Sequence, residues 1–220
     1  MSTKNKIIQT SIALFNEHGE RAISTNHIAA ELGISPGNLY YHFKNKEDIL
    51  RHIFALYRQH LETNFPTLNA DEDIVSQLVN YLDSIFELMW QYHFFYDNLA
   101  DILSRDEVLK VDYLALQDKL LFQAQSVITG LKHSNIIDID DEDIIDLAHI
   151  VKITVSFWTP YVETQRPEGK LVLSDIYTGV LKVLFLFKPY STVDGRAKIE
   201  ALQAKYRALI VSSEIKLKLP

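Results

Sequence analysis

The segment T-N-H-I-A-A-E-L-G-I-S-P-G-N-L-Y-Y-H-F-K-N-K, Thr25–Lys46, divides into two short helices with a glycine turn between them. Thr25 suits the N-cap of the first, in which Ile28, Ala29 and Leu32 share an inward face. Gly33 ends it. Ser35-Pro36 starts the second, with Ser as N-cap and Pro at the first helical position, where its missing N–H is no loss. Leu39 and Phe43 sit four apart and pin that helix to a core. Two helices joined by a turn of this length match a helix-turn-helix, whose second helix lies in the DNA major groove.

Upstream, Ile8, Ile12 and Phe15, with Ile7 and Leu14, recur at helical spacing and predict a helix over Thr3–His18, stopped by Gly19. Gly37 and Asn38 fall at the groove-facing start of the second motif helix. Gly37 lets the backbone approach DNA, and Asn38 has the amide that pairs bidentately with adenine. Tyr40, Tyr41 and His42 carry polar tips suited to the groove walls. Thr25 and Ser35 sit at helix N-termini, which attract phosphate, and Lys46 precedes the next helix. Taken singly, Tyr40 and Tyr41 could be core aromatics and Lys46 a solvated cap. Their order and spacing together favour DNA.

Gly33–Glu47, G-I-S-P-G-N-L-Y-Y-H-F-K-N-K-E, resembles the signature of TetR/AcrR-type one-component transcriptional regulators. Ala13–Gly19 (A-L-F-N-E-H-G) and Thr25–Ala29 fit the same pattern, so the likeness runs over about residues 5–60. The resemblance implies a homodimer with one head on each half-site of a palindromic operator. It implies that Thr25, Ser35, Gly37, Tyr40, Tyr41, His42 and Lys46 face DNA. It also implies a C-terminal helical domain that binds a small effector and, on balance, repression as the output.

Composition agrees with an all-α protein. Apolar residues make up 47% of the 220, while Gly (7) and Pro (6) are sparse and fall mostly between apolar-periodic runs. The absence of Cys excludes disulfides, thiol sensing and zinc fingers. MSTKNKIIQT lacks the apolar core of a signal peptide, and no segment reads as a membrane span, so a cytoplasmic location is expected. The net charge is −7, unevenly placed. Residues 1–51 carry six basic residues (Lys4, Lys6, Arg21, Lys44, Lys46, Arg51) against five acids, which leaves −8 for the rest. An acidic body does not forbid DNA binding if the head presents a basic face, but it predicts strong salt dependence. The expected division is a DNA-binding domain at 1–50 and an effector-binding and dimerisation domain at 51–220.

Beyond the head, helices are expected over Lys46–Asn64, Asp73–Tyr92, Phe95–Leu103, Glu107–Gly130 and Asp194–Ser213. Asp138–Asp143 is acid-rich, but it lacks the glycine and ligand spacing of a calcium loop and reads as a helix N-terminus. Ile144–Tyr161, with Pro160 ending or kinking it, and Leu171–Phe187 are apolar nearly all round. Such helices need cover on every side, which points to a four-helix interface with a second copy.

The body is rich in aromatic residues. Trp90, Phe95, Tyr113, Phe122, His149, Trp158 and Tyr161 are candidates to line a pocket for a hydrophobic or aromatic effector, although each alone is more often core. His149, Glu87 and Glu163 could orient a polar end. No cofactor is implied. An enzyme finds no support, because Gly-rich phosphate loops and an H-E-x-x-H pattern are missing. An effector-independent architectural DNA binder is disfavoured by the acidic body and by the readout offered at Gly37 and Asn38.

Overall fold

The computed structural model describes residues 2–64, 68–69, 71–166 and 171–217, with side chains as far as Ser213. Capping chemistry sets the first boundaries. α1 (Thr3–His18) opens where the Ser2 side chain accepts from Asn5 N–H at 3.3 Å. It closes at Gly19, whose φ of 80° is open to glycine without strain. α2 (Thr25–Glu31) is capped by Ser24 rather than by Thr25. Ser24 Oγ accepts the His27 N–H, and His27 Nδ1 accepts the Ser24 N–H, each at 3.3 Å. α3 (Pro36–His42) begins as expected, with Ser35 Oγ accepting from Asn38 N–H at 3.2 Å.

α4 (Lys46–Asn64) starts beyond Asn45, whose Oδ1 accepts from Asp48 N–H at 2.8 Å. α5 (Ile74–Gln91), α6 (His93–Arg105), α7 (Glu107–His133), α8 (Asp143–Thr164), α9 (Leu173–Leu186) and α10 (Val193–Leu217) follow. The described residues form no strand; Ile137 and Ser191 make an isolated antiparallel bridge. The all-α class expected from composition is thus observed. α8 continues past Pro160 to Thr164. α6 leaves helical geometry at Asn98 (φ −122°), whose side-chain amide donates to Phe94 O at 3.3 Å.

The chain divides into two units, one of residues 1–63 with 91–114 and one of 64–90 with 115–220. The first holds α1–α4, α6 and the opening turns of α7. Ile7, Phe15, Ile28, Leu39, Phe43, Ile49 and Ile53 are its buried centre. Each contributes on the order of 1.5–3 kcal/mol by leaving water. Asn16 of α1 caps the start of α6: its Nδ2 donates to Gln91 O at 2.8 Å and its Oδ1 accepts from Phe94 N–H at 3.1 Å.

In the second unit α9 is the most enclosed helix, with Ile176, Gly179, Val180, Val183 and Leu184 buried against α8 and α10. Gly179 has no room for a methyl. A Cβ there would lie 2.5 Å from the Phe86 ring and 2.7 Å from Trp158.

Candidate DNA interface and ligand site

α3 is held by one face only. Leu39 and Phe43 are buried, whereas Pro36, Gly37, Asn38, Tyr40 and Tyr41 are exposed. Tyr41 is 85% exposed, far more than a core aromatic would be, and its ring meets His42 edge-on at 5.1 Å. Tyr40 OH lies 3.0 Å from Thr25 Oγ1, so the start of α2 is tied to the exposed side of α3. Ser35, Gly37 and Asn38 sit at the start of α3 and Thr25 at the start of α2, where free N–H groups favour anions, while Tyr40, Tyr41 and His42 follow along the last turn of α3. Lys44, just beyond α3 and exposed, joins them. Its place directly after the anchoring Phe43 is the sequence signal that marks it.

Lys46 lies differently. Its Nζ donates to Glu20 O at 3.0 Å and to Ile23 O at 3.1 Å, and lies 2.9 Å from Glu20 Oε1. Two of the ammonium protons go to these carbonyls, and its charge faces the buried Glu20 carboxylate. Lys46 therefore ties the 3-10 turn Glu20–Ala22 to the start of α4 instead of facing outward. Glu20 is wholly buried and also receives Arg105 Nη2 at 2.8 Å. Arg105 reaches Asp101 as well, which pairs with Arg21. Arg51 forks onto Asp106 at 2.7 and 2.9 Å, and Asp106 Oδ1 accepts from Leu109 N–H at 3.1 Å at the start of α7. Burial pushes the Asp106 carboxyl up, but Arg51 and these N–H donors outweigh it and hold it below the usual carboxylate range.

The seven candidate effector residues are shared between the two units and have different surroundings within each. Phe95 and Tyr113 belong to the first unit, in a ring cluster with Phe54 and Tyr57. Tyr57 OH meets Tyr96 OH at 2.8 Å there, and burial pushes the Tyr113 phenol up to about 12. These groups stay neutral at physiological pH.

Trp158 and Tyr161 pair on α8 at 5.9 Å, with Trp158 Nε1 donating to Asp175 O at 2.7 Å. Phe122 and His149 are exposed, and His149 Nδ1 lies 2.9 Å from Ile145 O on its own helix. Trp90 borders a cleft of about 440 Å³, with Leu171, Val172, Leu173, Tyr177, Leu209, Ser212 and Ser213. Aromatic content alone does not tell these environments apart.

α8 and α9 are not covered on every side within one chain. Ile150, Ile153, Phe157 and Tyr161 form an exposed stripe along α8, with Phe157 at 64%, and Phe185 of α9 is 61% exposed. In the acidic segment, Asp141 pairs with Lys132 at 2.5 Å.

Two family descriptions fit this chain. One for bacterial regulatory proteins of the tetR family matches residues 7–53, and one for a bacterial transcriptional repressor, TetR, matches 56–199. The chain belongs to the TetR family. It is a helix-turn-helix, DNA-binding transcriptional regulator of that family. A TetR-family regulator from Marinobacter aquaeolei VT8 has a crystal structure similar to this one. It is 36% identical with a TM-score of 0.86, over 94% of this chain and 99% of that one. The SmeT–triclosan complex shares the fold at 18% identity and TM-score 0.57, over 88% and 93% of the two chains.

Among curated proteins, an HTH-type transcriptional regulator of Staphylococcus aureus (strain bovine RF122 / ET3-1) is 31% identical over 86 residues, 37% of this chain and 46% of that protein. The chain thus spans under half the length of that relative. No helix among the described residues is long and apolar enough to cross a membrane.

Proposed function

We propose that this TetR-family chain is a cytoplasmic repressor that binds a palindromic operator as a homodimer and is released by a small hydrophobic or aromatic effector. Residues 1–50 supply the DNA contacts, and 51–220 supply effector binding and dimerisation. The observation that carries the DNA half is the exposed face of α3. There Gly37, Asn38 and an 85%-exposed Tyr41 stand beside the Thr25–Tyr40 pair, while Leu39 and Phe43 anchor the opposite face. Asn38 is assigned to base readout, and Thr25, Ser35, Tyr40, Tyr41, His42 and Lys44 to the groove walls and phosphates. Lys46 is assigned to holding α4 in place.

The stripe Ile150–Ile153–Phe157–Tyr161 with Phe185 supports dimerisation through α8 and α9, because a second copy would cover it with a matching stripe. The SmeT–triclosan complex supports the effector half, since that fold holds a small molecule. An effector bound in the body would lower operator affinity by favouring a head separation that no longer matches the half-sites. The test is a reporter gene placed behind a DNA site selected by the purified protein. Repression requires that expression fall when the chain is present and recover in the Asn38→Ala variant. Expression that rises with the chain would make it an activator.

A further inference from the structure

The second unit contains a built cleft made from three separate stretches of chain. Trp90 closes one side at the end of α5. Leu171, Val172, Leu173 and Tyr177 form a second side at the start of α9, and Leu209, Ser212 and Ser213 form the third on α10. We propose that this cleft binds a neutral, mostly apolar molecule carrying a hydroxyl group, an alcohol or a phenol. The assignment deepens the effector reading above and rests on it.

Size and lining come first. The cleft holds about 440 Å³, within the span of small-molecule sites, and its walls are chiefly aliphatic and aromatic. Trp90 is 39% exposed and Leu173 37% exposed at the opening, so a ligand seated there would remove large apolar side chains from water.

Charge comes second. Among the described residues no Lys, Arg, His, Asp or Glu lines the cleft. Asp175, close by on α9, is already committed to Arg166 at 2.5 Å and to Val172 N–H at 2.9 Å. An ionic ligand would give up its hydration with no opposite charge to receive it.

Hydrogen-bonding polarity comes third. Ser212 Oγ donates to Leu209 O at 2.9 Å, and Ser213 Oγ donates to Ile210 O at 2.8 Å. Each serine hydroxyl has one proton, and the helix has taken it, so these two offer a ligand lone pairs, while the Tyr177 hydroxyl in the same lining can donate or accept. Ser213 is nearly buried, so water serves its lone pairs poorly. The complementary group on the ligand donates to the serines and can accept from Tyr177, and in an uncharged molecule of this shape that is a hydroxyl.

The test uses the full chain and three probes of one shape: 4-phenylphenol, 4-methoxybiphenyl, which has lost the donor, and biphenyl-4-carboxylate, which is charged. Binding is measured by titration calorimetry, and operator affinity is measured separately on the same samples. The expected result is one 4-phenylphenol per chain, roughly fivefold weaker binding of the ether, and at least about tenfold weaker binding of the carboxylate.

In a Ser212→Ala/Ser213→Ala variant the preference for phenol over ether disappears. Leu173→Glu, at an exposed position, weakens the phenol at least about tenfold with an unchanged circular dichroism spectrum. No binding of 4-phenylphenol, equal binding of all three probes, or a phenol preference that survives the double serine variant would overturn the assignment. Binding with the expected pattern but without any change in operator affinity would uphold the cleft and remove only the effector-release reading.

Discussion

Replacing Lys46 with Met separates two roles that its position in the sequence leaves joined. The side chain keeps its length and loses its charge. Two charge-assisted hydrogen bonds, to Glu20 O and Ile23 O, disappear, and buried Glu20 loses one of its cationic partners. Breaking a buried pair outright costs about 3–5 kcal/mol. Here Arg105 still reaches Glu20 at 2.8 Å, and Lys46 is itself 19% exposed, so the loss falls below that range. Adding two modest charged hydrogen bonds to a partly compensated carboxylate gives about 2–3 kcal/mol. For a chain of this size that corresponds to a fall in melting temperature of roughly 4–12 °C.

Urea unfolding followed by circular dichroism, run beside a salt titration of operator binding, is the assay. The structure predicts a lower urea midpoint and an unchanged salt slope, because no phosphate contact is lost. A variant as stable as the parent, with a salt slope reduced by about one ion, would refute this and return Lys46 to the DNA backbone.

Asp106→Asn keeps the cap on α7 but removes the charge facing Arg51. The folded carboxyl is depressed, so its contribution is complete above the unfolded value of about 4 and is lost as pH falls through the folded one. The variant should be less stable by about 1–2 kcal/mol at neutral pH, with the gap closing below about pH 4 in pH-dependent unfolding curves. Gly195→Ala would drive a methyl into the backbone carbonyl of Ile136, and Gly179→Ala would press on Phe86 and Trp158. Thermal melts should show losses of at least about 1–3 kcal/mol, larger at Gly195, where the obstacle is backbone. Phe157→Glu places a charge in the exposed stripe of α8; sedimentation should show the parent as a dimer and the variant as a monomer.

Much of the fold is legible in local sequence because its signals are local. The apolar period and Gly19 bound α1, and Ser35-Pro36 fixes the start of α3. α2 shows the limit of that reasoning. Ser24 and Thr25 are both good caps, and Ser24 takes the role because His27 completes a reciprocal pair with it. Lys46 shows another limit. Its partner Glu20 is 26 residues away, and the pairing exists only once the turn after α1 has folded.

The effector candidates were the least legible. Aromatic content alone does not separate Phe95, packed among rings in the first unit, from Trp90 at the mouth of a cleft in the second. The serines on α10 that give the cleft its polarity lie in a run, Val211-Ser-Ser-Glu214, with no functional signature in sequence. Net charge is uninformative for a related reason: a value of −7 averages over surfaces with different tasks, and the local motif at 25–46 is what marks the head.

The most direct test of the account is selection of binding sites from a random duplex pool by the purified chain, repeated with Asn38→Ala. The account predicts an inverted repeat, with Asn38→Ala losing preference at one base pair in each half-site while the rest of the motif persists. A pool that yields no enriched motif, or one that Asn38→Ala leaves unchanged at every position, would contradict it.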